Sequence, residues 1–235
     1  MKKMILIGIA ISFFACDQPH SEVKINSSSP KIIDGTTSRQ TTIIIYSDKV
    51  SIGNQVWATQ NLKVGRYHNG DIIPVVNDPT QWANLTTGAC CYYQNYLGNY
   101  AVYGMLYNWY AVHDPRGLAP AGWRIPTVAD FNILRNYLGG GAIAGGKMKA
   151  IGFWFAPNLG ATDEVGFHAL PAGFRAGNTD VYDFNNLGLQ TVFWTSESIE
   201  DGWSSNFSLE SSNQMFSQHA DNQIMGLSVR CIKEF

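Results

Sequence analysis

The first apolar stretch runs from Met4 to Ala15, behind Lys2 and Lys3. From Asp17 to Gln40 the chain is polar, Ser/Thr-rich and without period, the pattern of a tether. Apolar order then begins. Thr41-Thr42-Ile43-Ile44-Ile45-Tyr46 is β-branched and strand-like. Val50-Ser51-Ile52 and Gln55-Val56-Trp57-Ala58, joined by Gly53-Asn54, predict a hairpin. Gly70, Pro74 and Pro79 break the stretch that follows. Ala101, Val102, Met105, Leu106, Trp109 and Tyr110 recur at helical spacing and predict a helix from Tyr100 to about Ala111, stopped by Asp114-Pro115-Arg116-Gly117. A second helix has the fuller signature. Thr127 is an N-cap with Asp130 at the third helical position, Phe131, Leu134 and Leu138 form one apolar face, and Gly139-Gly140-Gly141 ends it. From Phe153 onward, short strands alternate with Gly/Asn/Asp turns: Gly166–Leu170, Thr191–Thr195, Trp203–Leu209 and Leu227–Ile232. Two helices and then many short strands predict an α+β fold on an antiparallel, loop-rich sheet.

The N-terminal pattern sets the compartment. Two lysines before a short apolar run are the layout of a secretory signal, and the run is too short for a bilayer span of roughly 20 residues. Phe13-Phe14-Ala15-Cys16 closes it. A cut before Cys16 resembles a bacterial lipoprotein signal, which lipidates the new N-terminal cysteine. The expected organisation is a signal peptide at 1–15, a flexible tether at 16–40 and one domain at 41–235. The protein is then exported and lipid-anchored at the outer membrane or cell surface, with the membrane as partner through acyl chains.

Composition narrows the function. Charged residues make up 14% and aromatics 13%, with a formal net charge of -2. That balance suits a large core and carries no electrostatic footprint for nucleic acid. The aromatics serve either the core or a sugar- or protein-binding surface. Besides Cys16 there are Cys90, Cys91 and Cys231. An odd count allows at most one internal bridge. Neighbouring side chains of an extended segment point to opposite faces, so at most one of Cys90 and Cys91 faces Cys231.

Nine short motifs fall in one order: Gly53–Trp57, Asn61-Leu62, Tyr103–Trp109, Gly122–Thr127, Gly145–Lys149, Thr162–Phe167, Ala169–Arg175, Phe193–Glu197 and Ser228–Cys231. Together they resemble the Fibrobacter succinogenes major paralogous domain, from about Val50 to Lys233. The resemblance implies a fold related to C-type lectin-like and formylglycine-generating-enzyme-like domains, with two helices beside a twisted antiparallel sheet and long loops. It brings no activity with it. Family members often carry Cys where this chain has Ala119. If that Cys normally bridges to the last strand, Cys231 has lost its partner and either pairs with Cys91 or Cys90 or stays a thiol.

No motif points to catalysis. Gly141–Lys147 matches most of a P-loop, but Met148 stands where Mg²⁺ chemistry needs Ser or Thr, and the stretch follows a helix. The five histidines show no metal-ligand spacing, and no Gly-x-Ser-x-Gly elbow occurs. Among the turn carboxylates, Asp163, Glu164, Glu197 and Asp201 are the candidates for Ca²⁺, the one cofactor these residues admit. Their alternative roles are turn capping and, for Glu197, pairing with a buried Arg230 or Arg175. Arg124 is the one side chain of the Gly122–Thr127 stretch with a use beyond architecture, and Trp123 is expected in the core. The expected function is a non-catalytic, lectin-like binding module for a glycan or surface protein. An enzyme on a formylglycine-generating-like scaffold, which would need redox cysteines, and a purely structural surface protein are the alternatives.

Overall fold

A computed structural model describes residues 48–177 and 183–234. The expected signal peptide, Cys16, the tether and the Thr41–Tyr46 strand lie outside the described residues. The hairpin forms as its pattern predicts: β1 (Lys49–Ile52) pairs antiparallel with β2 (Gln55–Ala58), Ile52 facing Gln55 across the Gly53-Asn54 turn. The next elements are α1 (Pro79–Ala83), β3 (Cys90–Cys91), α2 (Leu97–Tyr103), β4 (Leu106–Tyr107), α3 (Trp109–Val112) and β5 (Trp123–Arg124). They are followed by α4 (Val128–Tyr137), α5 (Ala144–Met148), β6 (Ala172–Arg175), β7 (Phe184–Leu187), β8 (Gln190–Glu200), β9 (Trp203–Glu210), β10 (Ser217–Asn222) and β11 (Ile232–Lys233). Three sheets result, ordered β1-β2-β11-β5, β10-β9-β8-β6-β7 and β3-β4. All pairings are antiparallel except the single β6–β8 register of Gly173 with Thr191. The architecture is mixed α/β, with few and short helices and antiparallel sheets. No described helix is long and apolar enough to cross a membrane.

The expected helix from Tyr100 to Ala111 does not form. Gly104 adopts φ +80 and interrupts it, leaving α2, the bridging strand β4 and the four-residue α3. A Cβ at Gly104 would meet Leu62 O at 2.9 Å and the Asn61 Cβ at 3.1 Å, so the site excludes larger residues both by conformation and by contact. The apolar spacing serves three separate burials. The Gly166–Leu170 strand is likewise absent: the segment is an irregular loop joined to Lys149 through one bridge at Ala169, with Phe167 and Ala169 buried. Of Leu227–Ile232 only Ile232 lies within a strand, while Leu227 and Ser228 pair through isolated bridges with Tyr107 of β4 and Phe193 of β8.

The second helix follows its local code. Thr127 Oγ1 accepts from the Asp130 N–H (3.1 Å), and the Thr127 N–H donates to Asp130 Oδ2 (2.7 Å), completing a capping box. Arg124 clamps the same carboxylate through Nη1 (2.5 Å) and Nη2 (2.8 Å). Arg124 is therefore architectural, and Trp123 is only partly buried, under the ammonium of Lys233. Burial alone would raise the pKa of Asp130, but the Arg124 and Thr127 hydrogen bonds outweigh it and hold the carboxyl below its ordinary 3.8. Its contribution to stability is present above 3.8 and is lost as pH falls through the lower, folded value. Thr127→Ala should cost about 1 kcal/mol in urea unfolding. Asp130→Asn should also destabilise, with a deficit that narrows in acid below 3.8.

Phe131 and Leu134 on α4, with Leu138 at its C-cap, pack against Phe193, Phe207 and Leu209 of β8 and β9 and against Trp57 of β2. Trp57 stacks on Phe131 with ring centroids 5.1 Å apart. A second cluster gathers Tyr107, Trp194, Leu227 and Val229, and a smaller third surrounds Trp82. α5 lies flat on its neighbours because of its glycines. A Cβ on Gly145 would sit 2.2 Å from Met215 O, and one on Gly146 would sit 2.4 Å from Gly160 O. The P-loop-like stretch is thus a close-packing device.

Three buried cations pin the irregular segments. Arg230 donates to Asn61 Oδ1, Ala58 O and Phe167 O. Arg175 pairs with Asp183 and donates to Val76 O, with its guanidinium over the Trp82 ring. Lys149 donates to the carbonyls of Leu159 (3.0 Å), Glu210 (2.8 Å) and Asn213 (2.8 Å).

Candidate functional site

The register of the five-stranded sheet separates two faces. Directly opposed residues of antiparallel strands share a face. Phe193 opposes Phe207, and this side packs on α4. On the other side Gln190 opposes Glu210, Val192 opposes Ser208, Trp194 opposes Asn206, Asn206 opposes His219 and Ser204 opposes Asp221. Trp194 and Val192 continue into the second core cluster. Toward β10 no described element covers the sheet, and the core gives way to polar side chains.

There a cleft of about 280 Å³ opens. Asn206, Ser208 and Glu210 of β9 line it, as do His219 and Asp221 of β10, with Phe174 of β6 and Met225 supplying apolar surface. Asn206 is fully buried. Its Nδ2 donates to Asp221 Oδ2 at 3.0 Å, while its Oδ1 has no partner among the described residues. Burial raises the pKa of Asp221, against the lowering effects of the Asn206 hydrogen bond and nearby His219. Glu210 Oε2 accepts from Asn213 Nδ2 (2.9 Å), and its carbonyl is held by Lys149. One end of the cleft is thereby fixed to a buried ammonium. This arrangement suits the recognition of a polar ligand with an apolar face: several hydrogen-bonding groups converge beside Phe174 and Met225.

The four calcium candidates are not brought together. Asp163 Oδ2 lies 2.7 Å from His168 Nδ1, and its Oδ1 accepts from the His168 N–H. Glu164 pairs with Lys147 at 3.1 Å. Glu197 and Asp201 are exposed near the β8–β9 turn. Among the described residues no group of three or more His, Cys, Asp or Glu could hold a metal ion. The pairing of Glu197 with Arg230 or Arg175 is also not made: Asn61 with backbone carbonyls serves Arg230, and Asp183 serves Arg175. Asp163 and His168 both adopt positive φ, which keeps this loop tight.

Of the alternatives left open for Cys231, a bridge to Cys91 or Cys90 is not seen among the described residues, where all three cysteine side chains are buried. Cys90 and Cys91 face different clusters, as their alternation in β3 demands. Cys90 shares a cluster with Cys231, but its Sγ turns to Pro74 O (3.6 Å) and Ile73 O (3.8 Å). Ala119 packs on that same cluster. Burial pushes the Cys90 and Cys91 thiols up to about 12, so neither is a ready thiolate. In the native protein, iodoacetamide at pH 8 should leave Cys90, Cys91 and Cys231 unmodified. Unfolding without reductant should expose all three, as mass spectrometry would read; a bridge would keep two of them protected.

The cleft residues carried little advance signal. Glu210 was visible as a turn carboxylate and His219 as an isolated histidine, but neither had a spacing partner. Asn206 and Asp221 become neighbours only through strand register. A family model described as Fibrobacter succinogenes major domain matches residues 50–233. No curated protein and no solved structure matches the chain.

Proposed function

The chain belongs to the Fibrobacter succinogenes major domain family, and on that footing we propose a lipid-anchored cell-envelope protein that binds a glycan in the cleft between Phe174 and β10. The observation that carries this reading is the cleft itself: Asn206, Asp221, Glu210 and His219 converge beside the half-buried side chains of Phe174 and Met225. We read the scaffold as lectin-like, displaying a recognition surface instead of a reaction centre. The buried, high-pKa Cys90 and Cys91 support binding over the redox chemistry that a formylglycine-generating-like enzyme would require. Export and anchoring rest on Lys2-Lys3, the apolar run and Cys16.

Two experiments test the proposal. A screen of the full chain against envelope glycans should give binding that Asp221→Asn and His219→Ala weaken with the fold intact. Folded protein that binds no glycan, or binds one with the variants unaffected, would contradict it; capture of a protein ligand alone would move the recognition to protein. For the anchor, Cys16→Ser should abolish labelling by an alkynyl fatty acid in cells, read by gel fluorescence.

A further inference from the structure

We propose that the ligand of the cleft bears a cationic amino group on a hydroxylated ring, which makes it an amino sugar instead of a neutral glycan. This rests on the cleft being the binding site. The first ground is charge. The lining includes the carboxylates of Asp221 and Glu210 and, among the described residues, no Lys or Arg. The second is the state of Asp221. Other buried or half-buried aspartates of this domain have cationic or imidazole partners: Asp130 has Arg124, Asp183 has Arg175 and Asp163 has His168. Asp221, among the described residues, takes part in no ion pair and has one hydrogen bond, from Asn206. A carboxylate withdrawn from water with no ion-pair partner is costly, and its pKa is raised by burial despite the nearby His219 and the Asn206 hydrogen bond. An ammonium placed beside it would relieve the cost.

The third ground is Asn206. Its amide nitrogen is committed to Asp221, so the buried Oδ1 is left as an acceptor without a donor among the described residues. A ligand that brings N–H or O–H groups meets that need. The ring follows from the remaining lining. An ammonium has only three donors, whereas Gln190, Ser208, Glu210 and His219 add polar positions beyond them. Hydroxyls would occupy these positions, and the C–H face of a ring would cover Phe174 and Met225. His219 on β10 is the other titratable side chain beside Asp221, and Glu210 lies further along β9. Protonation of Asp221, whose pKa burial raises, would remove the charge that a cation meets, so affinity falls as pH falls.

Isothermal titration of the full chain should compare a glucosamine oligomer, its N-acetylated counterpart and an oligolysine. The glucosamine oligomer is expected to bind about tenfold or more tighter than the N-acetylated one. Asp221→Asn, which keeps the shape and the Asn206 contact, should erase that preference, and Glu210→Gln should reduce it. Affinity should decline from neutral toward acid pH. Equal or tighter binding of the N-acetylated oligomer would overturn the inference while leaving a glycan-binding cleft in place. Preference for oligolysine would overturn the sugar assignment. Absence of binding by every oligosaccharide would overturn both this inference and the reading beneath it.

Discussion

Replacing Arg230 with methionine should cost on the order of 4 kcal/mol or more, because it strands several buried acceptors at once. Asn61 Oδ1 would lose two donors, at 3.1 and 2.8 Å, and the carbonyls of Ala58 and Phe167 would lose bonds of 3.1 and 2.6 Å. These groups belong to two regions far apart in sequence: the end of β2 with the loop after it, and the irregular Phe167–His168 stretch. The guanidinium also lies over the Phe167 ring at 4.6 Å. Burial lowers the Arg230 pKa to about 9, still well above neutral, so the residue stays charged in the native protein. Among the described residues no carboxylate contacts it directly; backbone and amide oxygens accept its hydrogen bonds. Methionine fills the volume but offers no donor. Urea unfolding should show the midpoint falling sharply, and a variant within about 1 kcal/mol of the wild type would refute this role.

Lys149→Met should be the second most damaging change, at about 3 kcal/mol or more, since three carbonyls lose their donor. Leu159 lies in the loop after α5, Glu210 ends β9 and Asn213 lies in the turn beyond it, so one ammonium ties together a strand end and two irregular segments. Burial brings the Lys149 pKa down to about 8, from an ordinary 10.5. The sign follows from proton counts. Between 8 and 10.5 the unfolded chain holds a proton that the native state has released, so this group makes stability rise with pH across that window. Below 8 both states are protonated and the desolvation cost is fully present. The deficit of Lys149→Met relative to the wild type should therefore widen from pH 8 to 10.5. A deficit independent of pH would mean that Lys149 titrates alike in both states. Because Glu210 O is one of the three acceptors, the variant should also loosen the cleft.

What could be read from the sequence was local. The α4 start needed only Thr127, Asp130 and the apolar spacing of Phe131, Leu134 and Leu138, all within a dozen residues. The β1–β2 hairpin needed only a two-residue turn between apolar runs. The β8 and β9 strands were visible as Thr191–Thr195 and Trp203–Leu209, although both extend further. The failed helix over Tyr100–Ala111 shows the limit of periodicity. Its apolar spacing is genuine, but Gly104 is bound to a φ of +80 by contact with Asn61 and Leu62, some forty residues earlier. The Gly166–Leu170 stretch misled for a similar reason, since its apolar residues are buried as a loop whose carbonyls serve Arg230. The calcium candidates were chosen by type and turn context, and cations or imidazole claimed two of them. The cleft was the least legible feature. It takes alternate residues from β8, β9 and β10 and adds Phe174 and Met225, so it exists only once the strand register is set.

The central claim is that recognition occurs on the β9–β10 face of the sheet, and amide chemical-shift mapping tests it most directly. On saturating the full chain with a glucosamine oligomer, the largest shifts should fall at residues 204–210 and 217–221 and at Phe174. Shifts centred on the 163–168 loop or on the 197–203 turn, or no shifts at all, would contradict it.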